Sequence, residues 1–219
     1  MTLACCTRRL LALSLLLPGL AWADGRYSLD INTGTSYGVQ TATVEVRGEL
    51  MRWSGQDQVV SRYGYVLIRG NRMYQVLTSP WPMAVDMALA VQSFGAQGLV
   101  ALSFAPLFDA LVSLDKTDAV ETVAGVRGEI WIARVKIDEE IRRIELVLDG
   151  GKAAIDLRDA IQRTLAVQSQ VFHEPMPSGY LLLYNALAER GRGVLRYGQA
   201  FALQAADTTA PATSRFELP

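Results

Sequence analysis

The chain has 219 residues, 50% hydrophobic and 20% charged, with 21 Lys and Arg against 22 Asp and Glu and a formal net charge of −1. That balance argues against nucleic acid or an anionic membrane as the main partner, because either calls for a basic excess. The length predicts one sizeable domain, and with both cysteines in the N-terminal segment read below as a signal peptide, the single His173 has no second His or Cys to complete a zinc site.

Residues 1–23 read as a secretory signal peptide: Thr7-Arg8-Arg9 makes a basic start, Leu10 to Leu17 a short apolar run, and Ala21-Trp22-Ala23 an A-x-A cleavage site before Asp24. The run is shorter than the roughly 20 apolar residues that span a bilayer, so no transmembrane anchor is expected after processing. Both cysteines, Cys5 and Cys6, leave with this segment. Because Arg8 and Arg9 are its only charges, the remaining 196 residues carry 19 basic and 22 acidic side chains, a net charge of −3. The expected product is a cysteine-free periplasmic domain, 24–219, held together by its core alone.

From Arg26 to Thr78 the pattern is one of strands and turns. Tyr27 to Ile31 and Thr43 to Arg47 alternate, Leu50 to Trp53 follows, and Tyr63 to Ile68 pairs with Met73 to Leu77 across Gly70-Asn71, a good hairpin turn because both residues tolerate positive φ. After Ser79-Pro80-Trp81-Pro82 the period changes: Met83, Met87, Ala90, Val91 and Phe94 recur at helical spacings, and Leu99 to Leu114 is apolar nearly throughout. A helical insertion is therefore expected over about 82–114. Gly128 to Lys136 and Arg143 to Leu148 alternate around Asp138-Glu139-Glu140 and predict a hairpin. Ala154, Leu157, Ile161 and Leu165 mark the inner face of a helix, with Asp159 and Arg163 able to pair on its outer side. Two extended runs, Tyr180 to Ala186 and Gly193 to Leu203, are expected to close the domain.

This order resembles the outer-membrane lipoprotein carrier (LolA-like) superfamily. Gly48-Glu49-Leu50-Met51-Arg52-Trp53 is similar to the family's second-strand segment, and Tyr65 to Tyr74 to its following hairpin. Thr122-Val123-Ala124-Gly125 with Trp131-Ile132-Ala133 is similar to its central hairpin, and Phe216-Glu217-Leu218-Pro219 to the Phe-x-x-Pro ending of many members. The resemblance implies an α+β fold, a curved antiparallel sheet forming an open half-barrel with helices covering its concave face. It implies a hydrophobic ligand, a lipid or the acyl chain of a lipoprotein, held in that cavity. The large apolar insertion from Pro82 to Leu114 departs from the family pattern and is expected to act as plug or lid.

The candidate ligand-binding residues are Met51, Trp53, Met73, Tyr74, Trp81, Met83, Met87, Phe104, Phe108 and Trp131, with Phe94 beside them. Flexible thioethers and large rings adapt to irregular apolar ligands, and the same residues serve equally as ordinary core. His173 reads as a solvated loop histidine, and Asp138-Glu139-Glu140 as a solubilising turn. Arg142, Arg143, Arg190 and Arg192 fit either a basic rim or isolated surface positions. No nucleophile elbow, phosphate loop, dinucleotide fingerprint or metal-ligand spacing occurs. The expectation is a non-enzymatic protein without cofactor or metal; the alternative is an envelope interaction or sensory module that docks a protein partner through the apolar insertion.

Overall fold

The computed structural model describes residues 23–32, 38–55, 64–95, 108–174 and 178–219. In chain order these form β1 (Asp24–Asn32), β2 (Val39–Arg47), β3 (Leu50–Ser54), β4 (Gly64–Arg69), β5 (Arg72–Leu77), β6 (Met83–Asp86), α1 (Met87–Phe94), β7 (Ala110–Val123), β8 (Val126–Ile137), β9 (Glu140–Asp149), α2 (Lys152–Phe172), α3 (Ser178–Glu189), β10 (Gly193–Tyr197), β11 (Phe201–Asp207) and a short 3-10 helix (Thr213–Phe216). The strands make one unclosed antiparallel sheet in the order β6-β5-β4-β3-β2-β1-β11-β10-β9-β8-β7.

The first strand is central. From it the chain builds one wing by successive hairpins out to β6, crosses to the opposite edge, builds the second wing inward from β7 to β9, and closes with β10 and β11 beside β1. The β1–β11 register, Arg26 opposite Asp207 through Ile31 opposite Phe201, joins the two wings. The crossing starts and ends on one face: α1 packs on α2, and the Phe108 ring lies 5.2 Å from that of Tyr180 in α3. Strand β7 touches β11 although three strands stand between them. A flat sheet would hold them about 19 Å apart, four steps of the inter-strand spacing, so this wing is bent.

Alternation decides which residues meet the helices. Tyr27, Leu29 and Ile31 of β1 point to one face, as do Val44 and Val46 of β2, Met51 and Trp53 of β3 and Met73 of β5, all buried. Helix α2, about 31 Å long at 1.5 Å per residue, lies across that face and reaches strands from β5 to β10. It buries Ala154, Leu157, Ala160, Ile161, Thr164, Val167 and Val171, the spacing of one helical side. The opposite face is covered over β3 to β5 by the C-terminal segment, whose Phe216 is buried with Leu67 and Val76. Arg215 grips the buried carboxylate of Glu45 there, donating from Nε at 3.2 Å and from Nη2 at 2.8 Å. Strand β4 is thus buried on both sides, which is why Val66-Leu67-Ile68 is a continuous apolar run.

Three expectations are corrected. Tyr180 to Ala186 is helical, not extended: Tyr180, Leu183, Tyr184 and Leu187 are buried at helical spacing. Ala110 to Leu114, expected in a helix, opens the edge strand β7. Met83 belongs to β6, and the helix starts only at Met87, where Asp86 caps it by accepting from the amides of Ala88 (3.1 Å) and Leu89 (3.4 Å). Of the described residues in the expected helical insertion, only Met87–Phe94 are helical.

Candidate functional site

Where α2 passes the β2–β3 turn, the helix and the sheet leave a half-open cleft of about 440 Å3 lined by Ala23, Val46, Gly48, Met51, Arg158, Asp159, Ala160, Gln162, Arg163 and Ala166. Local sequence explains the gap. Gly48 takes φ +56 in the turn and carries no side chain, while Ala23, Ala160 and Ala166 are too small to fill the space that larger residues would occupy. Buried Val46, Met51 and Ala160 form the floor, and half-buried Gln162, Arg163 and Ala166 the rim. The lining is predominantly apolar.

The walls are fixed by polar anchors on either side. The amide of Gly48 donates to Asp24 Oδ1 at 2.9 Å, holding the β2–β3 turn against the start of β1. Tyr27 Oη donates to Asp156 Oδ2 at 3.0 Å from under the helix, and Lys152 also pairs with Asp156. Burial and the Asp156 carboxylate both push the Tyr27 phenol well above its ordinary pKa. Behind Met51, Trp53 Nε1 donates to Thr164 Oγ1 at 3.0 Å, and that hydroxyl donates to Ala160 O at 2.8 Å. Removing the hydroxyl in Thr164→Val takes this acceptor from a buried indole and should cost about 1–3 kcal/mol by chemical denaturation. Thr164→Ser keeps it and should be clearly less damaging; equal costs would show that the bond contributes nothing.

Arg158 and Asp159 pair with each other at 2.6 Å, and Arg158 also donates to Arg192 O at 2.9 Å. Arg163 Nη1 donates to the carbonyl of Gly48 at 3.4 Å across the cleft.

Of the candidate ligand residues that are described, only Met51 lines this space. Trp53, Met73, Met87 and Phe108 are buried core on the helical face, and Trp131 packs half-buried against that core with its indole donating to Glu129 at 3.3 Å. Tyr74 turns to the opposite face, into the cluster around Phe216. Trp81 and Met83 are exposed, and Phe104 lies outside the described residues. His173 is exposed at the C-cap of α2 with φ +55. In the β8–β9 turn Glu139 pairs with Lys136 and Glu140 with Arg142. Arg192 pairs with Glu129 at 3.1 Å, and none of Arg142, Arg143, Arg190 and Arg192 lines the cleft. Among the described residues no His, Cys, Asp or Glu cluster could hold a metal ion, and no helix is long and apolar enough to cross a membrane. Comparison with protein-family models, curated proteins and solved structures finds no match to the chain.

Proposed function

We propose that the chain is an exported, non-enzymatic periplasmic protein that binds a hydrophobic ligand, a lipid or a lipoprotein acyl chain, in the manner of the LolA-like carriers it resembles. In this reading the sheet is an open half-barrel, its bend between β7 and β11 gives the concavity, and α1 and α2 cover the inner face. The observation that carries the proposal is the cleft itself. A mostly apolar space of about 440 Å3 between helix and sheet falls within the range of roughly 300–1,000 Å3 that small-molecule sites occupy.

Protein expressed as the full chain, recovered from the cell envelope and stripped of lipid, should gain stability on titration with an acylated ligand. At a hundredfold excess over Kd the gain is about 2.7 kcal/mol, or roughly 5–10 °C in Tm for a domain of this size. No shift with any fatty acid, phospholipid or acylated peptide would remove the support for carriage.

One observation favours a second reading, an envelope module that docks a protein. Trp81, Leu89 and Phe94 stand 79%, 62% and 85% exposed around β6 and α1, an arrangement common at interaction surfaces. Crosslinking in the envelope separates the two: a stoichiometric protein partner without co-purifying lipid favours docking.

A further inference from the structure

We propose that cleavage after Ala23 is what makes the cleft beside α2 a binding site: the cut takes one residue out of the cleft wall and leaves the α-ammonium group of Asp24 at its edge, where a bound ligand covers it. This rests on the export and ligand-binding readings above and adds a condition to them, that the hydrophobic ligand enters only the processed chain.

The expected cut falls where the sheet ends and the cleft begins. Ala21-Trp22-Ala23 is the cleavage pattern, and the first pair of the β1–β2 ladder is Asp24 opposite Arg47. Ala23 stands outside that ladder; it lines the cleft and packs, half-buried, on the main core. The contacts that hold the start of β1 belong to Asp24: its pairing with Arg47, and the Gly48 amide donating to its Oδ1 at 2.9 Å. Cleavage therefore keeps the sheet and changes the cleft. In the uncut chain everything before Ala23 is tied to the cleft wall through one peptide bond, and a ligand on the apolar floor of Val46, Met51 and Ala160 has to share that edge with it. After the cut the edge is open, and the Asp24 nitrogen, an amide before, is a charged amine with an ordinary pKa of about 8.

The test compares two proteins, each expressed as the full chain, recovered from the cell envelope and stripped of lipid. Intact mass of the first should show a chain that starts at Asp24. In the second, Asp-Gln-Trp-Ala is inserted between Ala23 and Asp24; the cleavage site is kept, and the Gln stands where a second site needs a small residue, so the recovered protein carries this tetrapeptide ahead of Asp24. The extended protein should keep the denaturant midpoint of the first, because the β1–β2 pairs are unchanged. It should bind tetradecanoate and a diacyl phosphatidylglycerol at least about tenfold more weakly, since each methylene kept off the apolar lining costs about fourfold. The unextended protein gives a second readout: near pH 7 acetic anhydride modifies an α-amine of pKa about 8 ahead of lysines at about 10.4, and bound ligand should slow that acetylation of Asp24 at least about fivefold. A start other than Asp24, equal affinity of the two proteins, or acetylation indifferent to ligand would overturn the proposal and leave hydrophobic-ligand binding standing. No binding of either probe by either protein ends both.

Discussion

Above pH 10 the protein is expected to unfold steeply, driven by four buried phenols. Tyr27, Tyr180, Tyr184 and Tyr197 are each at most 4% exposed, and burial raises all four pKa values well beyond that of a free tyrosine. For Tyr27 the neighbouring Asp156 adds to the effect, and for Tyr180 and Tyr184 the neighbouring tyrosines do. The native state therefore holds these protons above pH 10, where the unfolded chain releases them. Stability is intact below the unfolded value of about 10 and falls as pH rises past it. The slope is about 1.4 kcal/mol per pH unit for each phenol, so four together remove about 5–6 kcal/mol per unit. Against a usual total of about 5–15 kcal/mol, the fold should be lost within one to three units.

Of the eight tyrosines, the last four to give tyrosinate absorbance should do so together with the loss of native circular dichroism. More than four ionised tyrosines while the circular dichroism stays native would refute the prediction. Tyr197→Phe sharpens it: among the described residues the Tyr197 hydroxyl is buried with no hydrogen-bond partner. Its loss should cut the slope by about a quarter and cost little stability, since no bond is broken.

The strands of the first wing were legible because each turn carries its own signal. Gly48-Glu49 and Gly70-Asn71 separate alternating runs, and the structure pairs those runs as two-residue hairpins. Helix α2 was legible for the same kind of reason, with Ala154, Leu157 and Ile161 repeating along one side. The errors fall where an apolar run is short or dense. Tyr180 to Ala186 is apolar at nearly every position, so its period does not separate strand from helix; the deciding fact is tertiary, the packing of Tyr180 on Phe108 and of α3 on β7. Strand β7 lies at a sheet edge with Val112 and Val120 exposed and its register broken between Lys116 and Val120, so it shows no clean alternation. The start of α1 was readable and missed: Asp86 is a capping residue directly before Met87.

The cleft escaped the sequence for a different reason. A search for methionines and aromatic rings finds the groups that fill space, and here it finds the core, Trp53, Met73 and Met87 among it. A cavity forms where volume is missing, at Gly48, Ala160 and Ala166. Small residues give no local signal, because their meaning depends on what the fold brings opposite them. Arg163 comes to the rim of the cleft only because α2 crosses the β2–β3 turn, where its guanidinium reaches the Gly48 carbonyl.

Gly193→Ala should be the most damaging single substitution considered, at about 4 kcal/mol or more. The reason lies in how α2 is seated. Its N-cap, Gly151, offers no side chain, and no acidic residue stands in its first turn, so capping contributes little to holding this end in place. Packing on β10 does that instead. A methyl at Gly193 would sit 1.9 Å from the carbonyl oxygen of Ala154, 2.0 Å from its carbon and 2.5 Å from the nitrogen of Ile155. All three are backbone atoms, and no rotamer change relieves the clash. The first turn of the helix has to move, and with it Asp156 from Tyr27 and Arg158 from the carbonyl of Arg192, together with one wall of the cleft. Gly125→Ala supplies the comparison. That glycine has φ +78 with nothing within 4 Å of the added methyl, so its substitution costs only the strain of a left-handed alanine, about 1–2 kcal/mol. Denaturant midpoints of the two variants measure the difference directly. If Gly193→Ala proves no worse than Gly125→Ala, the helix is not seated on β10, and the cleft wall it forms has no fixed position.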